Sequence, residues 1–379
     1  MNKEEKLLLQ LIKKSQFYSQ ETVDFSDVDM DALYKEALDQ SVLGLIAPVI
    51  PSKYVDRKWT DAVYKHKSSY ILYYNAQDDL KRLFNDANIP FVIIKGGASA
   101  INYTDPSIRT MGDIDFLVPQ NLFDRSKSVM KNAGYIWDHD TDRHVAYKKD
   151  KQSFELHNKF SRNETIERFI TEGIYACDNV AIEGFVFPVL PKIANGLVIL
   201  DHMRGHVNSA IGLRHIIDWM MYVYKNIDDD FWNNEFKAVT EECGLTTLAI
   251  TATRMCQLYL GLPENVSWCK NADISTCELF MEIVLSSGNF GCKNKAGKNI
   301  ETVSVSIKKR GLFHWLQYAG EINWYAYQKC HCLKPFCWIY QICRYIKYGI
   351  KSGRNKKQIR EDLERGKARY QLLNRLDIL

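Results

Sequence analysis

Through residue 88, apolar positions recur at helical spacing, three or four residues apart, with acids and bases between them. Segments 29–50 and 68–87 each predict a helix of this kind. The character changes at Ile89-Pro90. Residues 91–94 form a short β-branched apolar run that stops at Gly96-Gly97, as a buried strand does, and a small helix or turn follows over 98–103. Residues 113–118 (DIDFLV) alternate with the two-residue period of a strand. Segment 121–132 reads as a helix with Asn121 as its N-cap, and Gly134 follows its end. Segments 143–149 and 152–160 read as two further strands around the charged turn 148–151. From 190 onward the helical period returns over 190–225, 230–261 and 272–287. The Gly-, Asn- and Lys-rich segment 288–306 reads as a loop or linker. The expected class is α+β: a small mixed sheet with helices, embedded between N-terminal and C-terminal helical regions.

Composition narrows this picture little. The chain has 379 residues, 46% hydrophobic and 25% charged, enough for a sizeable core. A net charge of +4 gives no global field for nucleic acid, so any basic partner surface is local. No apolar stretch is long enough for a membrane span, and the N-terminal MNKEEKLLLQ is a poor secretory signal. The ten cysteines include no CxxC pair, which favours free thiols. The expected location is cytoplasmic.

The alternation in 113–118 carries chemistry. Residues i and i+2 of a strand share a face, so Asp113, Asp115 and Leu117 lie on one side and Ile114, Phe116 and Val118 on the other. The apolar side is expected to be buried and the carboxylates to sit together on an accessible face. Adjacent carboxylates raise each other's pKa, and a divalent cation with a taste for oxygen, Mg²⁺ or Mn²⁺, relieves the conflict. Ser153-Phe154-Glu155-Leu156-His157 repeats the device, so a neighbouring strand can bring Glu155 to complete a three-carboxylate site. Upstream, Lys95-Gly96-Gly97-Ala98-Ser99 joins the first strand to a helix start, a place where backbone N–H groups bind phosphate. Metal and phosphate donors together are what phosphoryl transfer needs.

At these residues the sequence resembles the nucleotidyltransferase superfamily that includes DNA polymerase β. The pattern of a Gly pair after a strand, an acid-x-acid strand and a third acid falls on Gly96-Gly97, Asp113-Ile114-Asp115 and Glu155. It is most similar to a bacterial group of uncharacterised nucleotidyltransferases, through Ile89-Pro90, Lys95-Gly96, Arg109, the DIDFLV strand and Glu155-Leu156-His157. A later helical segment of that group resembles His206, Arg214 and Asp218. The resemblance implies metal ligation by Asp113, Asp115 and Glu155, with Glu155 alternatively the general base. It implies nucleotide contacts from Lys95, Gly96, Gly97, Ser99 and Arg109. It places His157, His206, Arg214 and Asp218 in support around them. The hydroxyl of a Gly-Ser pair is absent here, because Ala98 follows Gly97 and Ser99 comes later.

On this reading the chain divides into a helical region at 1–88, a nucleotidyltransferase core at 89–188, a helical domain at 189–290, and a linker with a basic aromatic region at 291–379. The donor substrate is an NTP such as ATP, and the acceptor is a hydroxyl on a sugar, small metabolite, protein or RNA. The alternative is a nucleotide-binding or regulatory protein of the same fold without turnover. His202 and His206, at i and i+4, share a helix face, a spacing that also suits metal ligands. The same question arises at Cys330-His331-Cys332 with Cys337 and Cys343. Segment 334–357 carries Lys and Arg among aromatics and no acid. It is either a helix with a solvated basic edge or a peripheral contact for an anionic membrane, nucleic acid or another acidic ligand.

Overall fold

A computed structural model describes residues 1–19, 22–294, 298–351 and 355–379. Seven strands form one mixed sheet: β1 (Val92–Ile94), β2 (Ile114–Leu117), β3 (Ile136–Asp140), β4 (His144–Lys149), β5 (Gln152–His157), β6 (Asp178–Ile182) and β7 (Phe185–Val189). Their spatial order is β3-β4-β5-β2-β1-β7-β6. Most neighbours run antiparallel; β2–β5 and β1–β7 run parallel. The parallel register pairs Asp115 with Glu155 and Leu117 with His157, while the antiparallel pairing of β1 with β2 sets Ile94 opposite Asp115. The α+β class holds, with helices before and after the sheet.

Alternation along the strands sorts side chains to two faces. Ile93, Ile114, Phe116, Val118, Phe154 and Leu156 pack against the long helix Arg57–Asp86 through Tyr70, Tyr73, Tyr74, Leu80 and Phe84. Asp56 caps that helix by accepting from the Trp59 N–H. Val92, Ile94 and Leu117 point the other way, into a second core. That core includes Leu197, Leu200, Ile216 and Met220 from the helices Lys192–Val207 and Leu213–Asn226, and extends from Leu7 to Ile378. Both faces of the sheet are therefore covered. The carboxylate face is not open to solvent as the alternation alone implied: Asp115 is 3% exposed.

Several elements depart from the sequence pattern. Segment 29–50 is a helix only over Met30–Asp39; Ser41 takes a left-handed φ of 57° and a short helix, Leu43–Ile46, follows. The helix expected over 68–87 begins a further three turns upstream, at Arg57. Asn121 is not an N-cap, because a 3₁₀ turn, Gln120–Leu122, leads into the helix Phe123–Asn132 with no side-chain cap. The strand expected over 152–160 ends at His157. Strands β3, β6 and β7 carry no clear alternation; β3 is a fully exposed edge.

The supposed linker 288–306 contains the start of a helix, Lys298–Arg310. Its inward stripe is Glu301, Ser304 and Val305, mostly polar, so hydrophobic periodicity does not reveal it. Glu301 accepts from Arg365 and Arg369 of the helix Lys356–Arg375. Arg369 also donates to the Val207 carbonyl and to Ser287 Oγ.

All ten cysteines are free thiols. Cys330 and Cys332 are exposed and Cys337 is buried, and among the described residues no cysteine joins a metal-competent cluster. In the basic segment, the helix Cys337–Lys351 crosses Leu312–Asn323 closely: a Cβ at Gly320 would lie 2.0 Å from the Cys337 carbonyl oxygen. Arg354 of that segment lies outside the described residues. No helix among the described residues is long and apolar enough to cross a membrane.

Candidate metal and nucleotide site

Three of the predicted side chains converge because of the strand register. Asp115 and Glu155 are Cα partners on β2 and β5, and Asp113 immediately precedes β2. One carboxylate oxygen from each of Asp113, Asp115 and Glu155 lies within 4.8 Å of the others. Hard oxygen donors at this spacing suit Mg²⁺ or Mn²⁺.

Lys95 sits among them. Its Nζ is 2.6 Å from Asp115 Oδ1 and 3.9 Å from Glu155 Oε2. The backbone at Lys95 holds φ 54°, ψ −119°, a conformation that L residues rarely adopt, at the junction of β1 and the short helix Gly96–Ala100. His157 Nε2 bridges the same pair, 3.0 Å from Asp115 Oδ1 and 3.3 Å from Glu155 Oε2. His144, which the sequence reading did not single out, places Nε2 3.5 Å from Glu155 Oε1. A signal for it existed. Counting outward from the two-residue turn Asp150-Lys151 pairs His144 with His157.

The electrostatics divide the carboxylates. The charge of Asp115, then burial and Glu155, push the Asp113 carboxyl up to about 6. Burial also opposes the Asp115 charge, but the Lys95 ammonium and the His157 hydrogen bond overcome it and hold that carboxyl well below the usual range. Burial works against the Lys95 ammonium, yet Asp115 and Glu155 keep it charged and raise its pKa. An acidic pair split in this way is poised to exchange one proton for a cation.

The glycine pair has a different immediate cause from the one expected. A Cβ at Gly96 would lie 2.4 Å from the Tyr73 hydroxyl, and one at Gly97 would lie 2.7 Å from Gln77 Oε1. Both partners come from the long helix Arg57–Asp86. The Gly97 N–H donates to the Tyr73 hydroxyl at 3.1 Å. Gly96 lines the open cleft; Ser99 is buried behind it, against a small void shared with Lys95, His202, His215 and Asp218. Arg109 lines the cleft, but its guanidinium binds Asp218 through Nε and one terminal nitrogen, both at 2.8 Å. Tyr103 donates to the same carboxylate at 2.7 Å.

The cleft has a volume of about 180 Å³. Its lining brings Asp113, Asp115 and Glu155 together with His202, His206, Arg214 and Phe290. Ligand pockets usually measure about 300–1,000 Å³, so this one fits metal and phosphates better than a whole nucleotide. His202, His206 and His215 cluster with candidate ligand atoms within 4.8 Å. The neighbours satisfy two of these rings: His206 Nδ1 is 3.2 Å from the Ala210 carbonyl, and His206 Nε2 is 3.1 Å from His202 Nε2. Burial, then His206, holds the pKa of His202 and of His215 well below the usual histidine range, and Arg214 adds to this in both. His202 and His215 are thus neutral beside the positive charge of Arg214, a poor setting for a second cation.

The family described as uncharacterised nucleotidyltransferase matches residues 26–261, a span that holds the whole sheet and the first helices after it. No curated protein matches the chain. The chain belongs to that nucleotidyltransferase family, and nucleotidyl transfer is the general role this membership supports.

Proposed function

We propose that this nucleotidyltransferase transfers a nucleoside monophosphate from an NTP to a hydroxyl acceptor, with Mg²⁺ or Mn²⁺ held by Asp113, Asp115 and Glu155. The observation that carries the reading is the convergence of these three carboxylates in one cleft of a family member. A bound divalent ion would neutralise phosphate charge and orient the reacting oxygens.

The residues around it have distinct tasks. Lys95 and His157 hold the Asp115 and Glu155 oxygens in place. Glu155, the more exposed of the strand-borne pair, takes the proton of the acceptor hydroxyl. As that oxygen bonds to the α-phosphorus, the bond to the β-phosphate breaks and pyrophosphate leaves with the electron pair. Lys95 and Gly96 contact the phosphate chain from the strand end. Arg109 acts through Asp218, which it fixes against Tyr103.

The acceptor belongs to a sugar, small metabolite, protein or RNA. The test is a thermal-shift panel of four NTPs with Mg²⁺, Mn²⁺ or EDTA. A metal-dependent rise for one NTP that Asp113→Ala abolishes supports the site and names the donor. No shift with any NTP overturns the reading.

We also propose, for a cytoplasmic protein, a peripheral contact with anionic lipid. On the basic helix Cys337–Lys351 and the turn before it, Phe336 is 53%, Ile339 41% and Ile346 59% exposed, and the neighbouring helix adds exposed Leu312 and Phe313. Basic residues beside exposed apolar bulk are the makings of an interfacial helix.

A further inference from the structure

Among the described residues, the helix Leu213–Asn226 carries a cation with no ion pair of its own, Arg214. Arg214, in its first turn, lines the same cleft as the three carboxylates. Its Nε is buried and has no hydrogen-bond partner. The nearby Asp218 cannot serve it fully, because Arg109 takes both oxygens and Tyr103 shares one. The contact Arg214 does make is with a ring: its Cζ lies 5.4 Å from the centre of Phe290. Burial, and then the like charge of Arg109, depress its pKa.

A buried charge without a partner costs several kcal/mol, and a fold keeps one where something else supplies the partner. The imidazoles nearby do not: none carries a negative charge, burial keeps His202 and His215 neutral, and His206 Nε2 lies against His202 Nε2. The missing partner is an anion that enters the cleft. Arginine's planar fork matches phosphate oxygens in two-point contact.

We propose that Arg214 is the contact for the terminal phosphates of the nucleotide, the part that departs as pyrophosphate. This rests on the nucleotidyl-transfer reading of the same cleft. The α-phosphate would face Asp113, Asp115 and Glu155, which would hold the cation, and the diphosphate end would reach Arg214. When the α–β bond breaks, the electron pair stays on the bridging oxygen of pyrophosphate, and Arg214 meets the charge that develops there. The role foreseen for Arg109, phosphate neutralisation, passes to Arg214, because Arg109 is already paired.

The experiment uses the full chain with Arg214→Gln and Arg214→Lys, and titrates NTP, the matching NMP and inorganic tripolyphosphate in Mg²⁺ by calorimetry. With Arg214→Gln, NTP and tripolyphosphate should bind at least about tenfold more weakly while NMP is unchanged, and Arg214→Lys should recover part of the loss. The ligand-free Arg214→Gln protein should melt no lower than the parent, since an uncompensated charge has gone. Equal weakening for NTP and NMP, no weakening for NTP, or a ligand-free protein that melts several degrees lower overturns the proposal. If the parent binds tripolyphosphate through Arg214 but no NTP, the anion contact stands and the nucleotidyl-transfer reading falls. An Arg214→Gln variant that binds NTP as tightly as the parent gives the reverse, and a parent that binds neither ligand overturns both.

Discussion

Lys95 Nζ lies 2.6 Å from Asp115 Oδ1, where the positive charge of a lysine does for the carboxylate cluster what a metal ion would do. Lys95→Met leaves the buried Asp115 with the His157 hydrogen bond but without its ammonium partner, so the metal-free protein should lose about 3–5 kcal/mol of stability. Mn²⁺ should restore much of it, and should bind the variant more tightly than the parent because a competing cation is gone. Urea denaturation with Mn²⁺ and with EDTA checks this. Equal losses under both conditions would show that Lys95 has no part in the cation balance.

Asp113 gives the site a pH dependence with a defined sign. Its carboxyl, normally near 3.8, is pushed up to about 6, so the folded protein takes up a proton more readily than the unfolded chain. The contribution to metal-free stability is present below the unfolded value and is lost as pH rises through about 6. Metal binding has the opposite trend, because the cation must displace that proton. Mn²⁺ affinity should therefore fall as pH drops through about 6, and Asp113→Asn should abolish the trend. Titrations of Mn²⁺ by electron paramagnetic resonance across pH 5–8, a window of roughly one unit or more on each side, measure it.

In the proposed site His157 orients two carboxylates, as its contacts with Asp115 and Glu155 suit it to do. Loss of such an outer partner typically costs about 10–100-fold in metal affinity. His157→Ala should show a loss of that size while keeping the melting temperature within a few degrees of the parent in saturating metal. An unchanged affinity would make the histidine a packing residue only.

Gly96 is required by packing. In Gly96→Ala the new Cβ meets the Tyr73 hydroxyl at 2.4 Å, and overpacking of a buried site costs about 1–3 kcal/mol. Removing the hydroxyl as well, in Gly96→Ala with Tyr73→Phe, should recover part of that loss. A double variant no better than the sum of its parts would mean that the clash is relieved elsewhere.

The basic helix predicts a salt-sensitive association with lipid. The full chain should sediment with vesicles rich in phosphatidylserine and not with neutral ones, and Phe336→Ser with Ile339→Ser should weaken it. Equal binding to both vesicle types would exclude an electrostatic contact.

Much of the carboxylate centre was legible because it lies on strands, where a two-residue period fixes side-chain direction. Asp115 and Glu155 each follow one large apolar residue and precede another, and the structure sets them opposite one another. What the period could not show is what else lines the cleft. Arg214, Phe290 and His202 come from helices and a loop far along the chain, and no local pattern encodes that approach. The glycine pair was read from its freedom of approach, but the residues that demand it, Tyr73 and Gln77, sit on the preceding helix. The helix Lys298–Arg310 hid because its buried face is built on Glu301, which finds its cation only in the folded chain.

The pairing of Asp115 with Glu155 makes the chemistry a check on folding fidelity. A slip of one residue between β2 and β5 would turn Ile114 or Phe116 to the Asp115 position and dismantle the chelate. A chain in the wrong register, or one whose central strands have not yet joined, has no means of gripping the cation. On the proposed function, partly folded forms would be inert toward nucleoside triphosphates, and only the finished sheet would spend one.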